Sequence, residues 1–288
     1  MRTMPNRRTL LIAASVASVA LLTACSSTSG PATGAAAGTY AGTNQAITHV
    51  HGVARDATTG QVVIATHEGA FLRDSGEWVA RGPVVDLMGF TIAADGTWLA
   101  SGHPGINVDL PQPVGLISST DQGRTWTVES RGGQSDFHAL ATGRGLVVGF
   151  DGALRTTSDR RTWADRAIPA PAHSLGVSPK SGTVLATTEK GLLRSTDGGQ
   201  NWTTLAPPGL VALVAWADDQ TIVGATVEGV IVTSVDGGKS WKAGTTAVPE
   251  VSALSASRLP SGQIEILIVS GTSVLVSTDG GSTTTRLS

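Results

Sequence analysis

A short pattern of serine, aspartate, glycine and tryptophan recurs along this chain at a nearly fixed interval, and that interval limits the fold more than any other feature. Residues 195–202 read Ser-Thr-Asp-Gly-Gly-Gln-Asn-Trp, and residues 119–126 and 234–241 repeat the pattern. Residues 277–283 repeat it without the Trp, and 74–78 and 159–163 carry shortened copies. The aspartates Asp74, Asp121, Asp159, Asp197, Asp236 and Asp279 are thus spaced by 38 to 47 residues. A period of that size signals a propeller or a solenoid, in which one small sheet repeats.

Each copy follows a short apolar run, such as 229–233 or 273–276. Asp in a tight turn accepts hydrogen bonds from the backbone N–H groups just ahead of it, and Gly supplies the positive φ of a hairpin connection. The turn therefore joins two strands, and Trp opens the second. Four strands per repeat, with the aspartate turn between the third and fourth, account for the chain from about Ala46. The first repeat has strands at 48–54, 61–66, 70–73 and 77–80, and the others span 84–130, 136–168, 172–205, 210–244 and 250–288. The expected fold is all-β: a propeller of about six four-stranded blades, with seven as the alternative. The pattern resembles the Asp-box (BNR) repeat of β-propellers such as sialidases, sortilin-like receptors, some endoglucanases and photosystem II assembly factors. The chain also resembles a group of exported bacterial propellers labelled exo-alpha-sialidase or glycosyl hydrolase.

The N-terminus carries a different message. Arg2, Arg7 and Arg8 precede an apolar run at 10–22, followed by Leu-Thr-Ala-Cys at 22–25. A basic start, a short apolar core and small residues before a cleavage point read as a secretory signal peptide over 1–24. The Leu-Thr-Ala-Cys segment resembles a bacterial lipobox. That resemblance implies a lipid on the Cys25 sulfur and a lipoprotein on the outer face of the cytoplasmic membrane; an ordinary signal peptide with an incidental Cys is the alternative. Cys25 is the sole cysteine, so no internal disulfide braces the domain. Residues 25–45 are small and polar and read as the lipidated Cys and a flexible tether, leaving 46–288 for the propeller. Loss of the three arginines takes 20 basic residues to 17 against 22 acidic ones, a net charge of −5. Phosphate binding needs clustered Lys and Arg, so nucleic acid is excluded as a partner class. A membrane through the anchor, and a protein or glycan, remain.

Aligned on the innermost strand, His51, Met88, His138 and His173 occupy equivalent positions in repeats one to four. Two residues earlier, on the same side of a strand, stand His49, Asp86 and Asp136. His67 and His103 follow the second strands of repeats one and two. All six histidines are therefore expected at the rim opposite the aspartate turns. As a metal or ligand site, this set offers His49, His51, His67, His103 and His138, with Asp86, Asp136, Met88 and His173 nearby. Imidazole suits Zn and Cu, and a thioether tilts the choice toward Cu(I). Imidazoles lining a polar channel are the alternative. Residues 102–115 form a long irregular loop in repeat two, where the other repeats have a few residues, and such loops are often functional. Phe90 and Phe137 alternate away from the channel and are expected between blades. Trp78, Trp126, Trp163, Trp202 and Trp241 read as core anchors, while Trp98 and Trp216 fall outside the aspartate turns.

The sialidase label can be tested on residues. Such enzymes use a Tyr nucleophile with a Glu and three arginines for the substrate carboxylate. The sole tyrosine, Tyr40, lies in the tether, and no Arg-Ile-Pro segment precedes the first repeat. Another hydrolase would have Asp86 and Asp136 as its carboxylate pair. The reading favoured by the residues is a binding or assembly propeller with a His-rich rim; a sialidase-like glycoside hydrolase is the runner-up.

Overall fold

The structure, a computed structural model, describes residues 46–288; the signal peptide, Cys25, Tyr40 and the tether read from the sequence lie outside them. The described residues form six four-stranded antiparallel sheets, each a meander in chain order. The first holds β1 (Val50–Arg55), β2 (Val62–Thr66), β3 (Gly69–Asp74) and β4 (Glu77–Arg81), and the second β5 (Val85–Ile92), β6 (Trp98–Pro104), β7 (Leu116–Ser119) and β8 (Thr127–Ser130). The third has β9 (Ala139–Gly143), β10 (Leu146–Phe150), β11 (Leu154–Thr157) and β12 (Ala164–Arg166), and the fourth β13 (Ser174–Val177), β14 (Val184–Thr188), β15 (Gly191–Ser195) and β16 (Thr203–Leu205). The fifth has β17 (Val211–Trp216), β18 (Ile222–Thr226), β19 (Val230–Ser234) and β20 (Lys242–Ala247), and the sixth β21 (Val251–Arg258), β22 (Ile264–Ser270), β23 (Ser273–Ser277) and β24 (Thr285–Arg286).

The first strand of every sheet touches the first strand of the next, and β21 touches β1. That closes a ring: the molecule is a six-bladed β-propeller, and no seventh blade is needed. The second strands explain why the sheets stack. Residues along β2, β14 and β18 are buried on both faces, so each sheet is covered by a neighbour on either side. The apolar side chains pool between blades, as in the cluster of Leu185, Leu192, Val211, Val214, Ile222 and Val232 between the fourth and fifth. Removing such faces from water, at about 25 cal/mol per Å² of apolar surface, is the main term favouring the ring.

The recurring turns act as clamps at the end of each blade. In the fourth blade the fully buried Ser195 hydroxyl donates to Asp197 Oδ1 at 2.7 Å and accepts from the Gly199 amide at 2.8 Å. Asp197 then accepts the Asn201 amide at 2.9 Å and its side-chain amide at 2.7 Å. Asp121, Asp236 and Asp279 repeat this pattern with Thr125, Ser240 and Thr283, and Asp159 accepts the Arg161 and Thr162 amides. These donors hold the carboxylates ionised. Hydrogen bonds from the Thr283 hydroxyl and amide and the Ser277 hydroxyl lower Asp279 to about 2. At Asp121 burial works the other way, yet Thr125 and Ser119 still bring it to about 2.

Asp74 corrects the expectation for the first blade. Asp74 pairs with Glu77 across a two-residue hairpin in which Ser75 and Gly76 have φ of 48° and 84°. Its carboxylate has the Ser75 hydroxyl, at 3.3 Å, as its hydrogen-bond partner among the described residues. The loop is too short for an amide to reach back to it, so Asp74 is no clamp.

The repeat tryptophans are half-buried, each against the cluster it shares with the preceding blade. Trp163 stacks on Phe137 with centroids 4.8 Å apart, and its indole N–H donates to Ser130 of the second blade. Trp98, by contrast, is fully buried, donating to Asp56 Oδ2 of the first blade at 3.1 Å. Phe137 is also fully buried between the second and third blades.

Candidate metal centre

The strand order fixes which residues share a rim. First strands begin, and second strands end, at the end opposite the third-to-fourth turns. His49, His51, Asp86, Asp136 and His138 lie at or just before the start of first strands, and His67 and His103 at or just after the end of second strands.

Local register then aims the side chains. β1 is paired through Val50↔Thr66 and Gly52↔Ala65, so His51 is the extra residue of a bulge. β5 does the same with Leu87↔Gly102 and Gly89↔Ser101, making Met88 the bulge residue and setting Asp86 opposite His103. Bulges re-aim side chains and are common beside functional sites. The His67 amide bonds the His49 carbonyl, so His49 and His67 in blade one occupy the places of Asp86 and His103 in blade two. Glu68 accepts from the amide and the hydroxyl of Thr48, bracketing the two imidazoles from outside.

Two neighbouring residues with no part in the repeated motif shape the site. The buried Ser101 hydroxyl accepts the Phe137 amide at 2.9 Å, which fixes the segment carrying Asp136 and His138. Gly102, at φ 141°, runs so close to β5 that a Cβ would sit 1.9 Å from the Asp86 carbonyl oxygen. Neither has a motif; only the glycine beside His103 hints at a close approach.

The outcome is a continuous chain of imidazoles and carboxylates across three blades. His51 Nε2 lies 3.7 Å from Asp86 Oδ1, and His67 Nδ1 3.2 Å from Asp86 Oδ2. His103 faces Asp86 through Nδ1 at 3.9 Å and Asp136 through Nε2 at 3.3 Å, and His138 Nε2 reaches Asp136 Oδ2 at 2.6 Å. His49 stacks on His51 and meets His67 edge-on, with centroids 5.6 and 5.3 Å apart. One donor atom from each of His51, His67 and Asp86 falls within 4.8 Å of the other two. His51 Nε2 and Asp86 Oδ1 are buried without a hydrogen-bond partner among the described residues. Burial, and then the charge of His67, lower the His51 pKa despite the opposing pull of Asp86. The lowering favours the neutral imidazole, the form that binds a metal.

Of the nine residues read from the sequence as a ligand set, the structure joins seven. His173 is exposed just before β13, and its amide bonds the Thr187 carbonyl. Pro171 stands where the second and third blades have Asp86 and Asp136, so the fourth blade offers His173 no carboxylate at that position. Met88 occupies the bulge of the second blade equivalent to that of His51 in the first, and is half-buried there. Asp86 and Asp136, the carboxylate pair considered for hydrolysis, do not face each other across a gap: the His103 ring bridges them.

Comparison with known proteins agrees on architecture. A family model described as the DUF6242 beta propeller domain matches residues 139–281, from the third blade into the last turn. No curated protein matches the sequence. The extracellular domain of a hybrid two-component system protein from B. thetaiotaomicron superposes with a TM-score of 0.59 at 12% identity, over 86% of this chain. This chain spans only 34% of that one. A gluconolactonase from Xanthomonas campestris gives a TM-score of 0.63 at 12% identity, covering 80% of this chain and 86% of the other. Virginiamycin B lyase from Staphylococcus aureus gives 0.56 at 12%, covering 83% and 84%. At such identities the shared feature is the fold.

The loop between β6 and β7 adds a surface to the rim. Val114 is fully buried and Val108 and Leu110 pack on the core, while Gly105 bonds the Val84 carbonyl and Gly133 the Pro113 carbonyl. The loop is thereby tied down on both sides, and it leaves Ile106 94% exposed, three residues from His103.

Proposed function

We propose that this chain is an exported, lipid-anchored binding propeller whose rim holds a divalent transition-metal ion, Zn²⁺ or Cu²⁺, through His51, His67 and Asp86. The observation that carries the reading is the convergence of those three donors within 4.8 Å, two of them buried and unpartnered. Tetrahedral Zn²⁺ with bonds of about 2.1 Å wants donors about 3.4 Å apart, so each side chain need shift by only about 0.7 Å. Two imidazoles and a carboxylate suit Zn²⁺ or Cu²⁺, whereas Cu(I) prefers sulfur. Three protein ligands leave one coordination position open. A protein or glycan offering a donor group would complete it and dock against the loop around Ile106.

Two further parts of the reading rest on sequence. The hydrogen-bond pattern of five of the six aspartate turns supports their likeness to Asp-boxes. The basic start, apolar run and Leu-Thr-Ala-Cys support lipid attachment at Cys25, which membrane fractionation of Cys25→Ser tests: a variant still membrane-bound overturns it. For the metal, the full chain is stripped with a chelator, dialysed against Zn²⁺ or Cu²⁺ and analysed for bound element. Stoichiometric uptake, lost in His51→Ala and Asp86→Asn, is expected; a folded protein that takes up neither ion ends the reading.

A further inference from the structure

One ion does not account for the cluster. Half-buried carboxylates are normally paired with a cation or bound to a metal. Asp86 and Asp136 have side-chain exposures of 23% and 22%, and among the described residues neither forms an ion pair with Lys or Arg. The nearby Arg131 is committed to Ser135 and Asp151. An ion at His51, His67 and Asp86 compensates the first carboxylate and leaves the second among imidazoles.

That second carboxylate has the makings of its own donor set. Asp136 Oδ2 is met from two blades, by His103 Nε2 at 3.3 Å and His138 Nε2 at 2.6 Å. Its other oxygen, Oδ1, is buried without a hydrogen-bond partner among the described residues, like Oδ1 of Asp86. The two halves repeat one chemistry of two imidazoles and one carboxylate. His103 joins them, with Nδ1 toward Asp86 and Nε2 toward Asp136. The His138 ring is 60% exposed, and for its donor to converge with those of His103 and Asp136 on one ion it must turn about the oxygen it now hydrogen-bonds.

We infer that the rim is a two-ion centre, with a second divalent transition metal held by His103, Asp136 and His138 beside the first. The inference rests on reading the rim as a metal site and adds a second ion to it. His103 is then the element that couples the two, since moving its ring changes both half-sites. A substrate or partner group with two adjacent oxygens, such as a carboxylate or a phosphate, is the chemical class that fits a pair of neighbouring ions.

Elemental analysis of the full chain, stripped and reloaded with Zn²⁺, separates the possibilities, with His138→Ala and Asp136→Asn analysed alongside. Two ions per chain are expected, falling to one in either variant, and thermal melts confirm that the variants are folded. Loaded with Cu²⁺, the parent gives the half-field electron paramagnetic resonance signal of two coupled ions, and His138→Ala loses it. One ion per chain, unchanged in both variants, overturns the second site and leaves the first. Two ions per chain in the variants as well places the extra ion elsewhere and overturns the inference. No uptake at all removes both.

Discussion

At Gly89 the third blade comes so close to the second that a Cβ would lie 2.2 Å from the Phe137 carbonyl oxygen and 3.0 Å from Leu140. The glycine is needed for space, and the close approach sets Asp136 of blade three against His103 of blade two. Gly89→Ala should push the 136–138 segment outward at the cost of overpacking, about 1–3 kcal/mol. A melting temperature lowered by several degrees, with weaker Zn²⁺ uptake at the Asp136 half-site, is expected; an unchanged melt sinks the account. At this scale the sequence was informative about identity and silent about distance. Aligning the repeats found His49, His51, His67, His103 and His138 because equivalent positions share a rim. It could not see that His103 divides its two nitrogens between two carboxylates.

The aspartate turn shows the same division at the level of an element. Its spacing was legible because one local sequence closes one local loop, and every hydrogen bond of the clamp lies within a few residues. The failure at Asp74 is equally local: residues 74–78 keep the Asp, Gly and Trp but are too short to bring an amide back over the carboxylate. The two turns should therefore respond differently. Ser195→Ala removes a fully buried hydroxyl and strands the Gly199 amide, costing about 1–3 kcal/mol. At about 2–4 °C per kcal/mol for a domain of this size, calorimetry should resolve the shift. Asp74→Ala, on an exposed hairpin, should stay within about 0.5 kcal/mol of the parent. Equal effects would show that the clamp geometry does not matter to stability.

The ring as a whole has a seam that no repeat could announce. Five blade junctions join consecutive pieces of chain, but the sixth brings β21 and β22 against β1 and β2, where the two ends of the fold meet. No strand is exchanged there, since each blade is a complete meander of its own four strands. Closure falls to side chains: Ile47, Val50, Val53 and Phe71 of the first blade pack on Ala253, Leu267 and Val269 of the last. Beside them Arg55 grips Glu265, 210 residues away, through two hydrogen bonds of 2.6 Å, and the Glu265 side chain is 6% exposed. Such a pair is invisible to periodicity because neither residue belongs to the repeated motif. Removing one partner from a buried pair leaves a stranded charge and typically costs about 3–5 kcal/mol. The fifth and sixth blades carry a comparison, Arg258 on Asp218, with the arginine 47% exposed. An exposed pair is worth up to about 1 kcal/mol. Glu265→Ala should therefore lower the denaturant midpoint several times more than Arg258→Ala, and hydrogen exchange should rise first in β1, β21 and their neighbours. If the two variants unfold alike, with no added exchange at that junction, the seam is held by packing alone and the Arg55–Glu265 grip contributes nothing particular to closure.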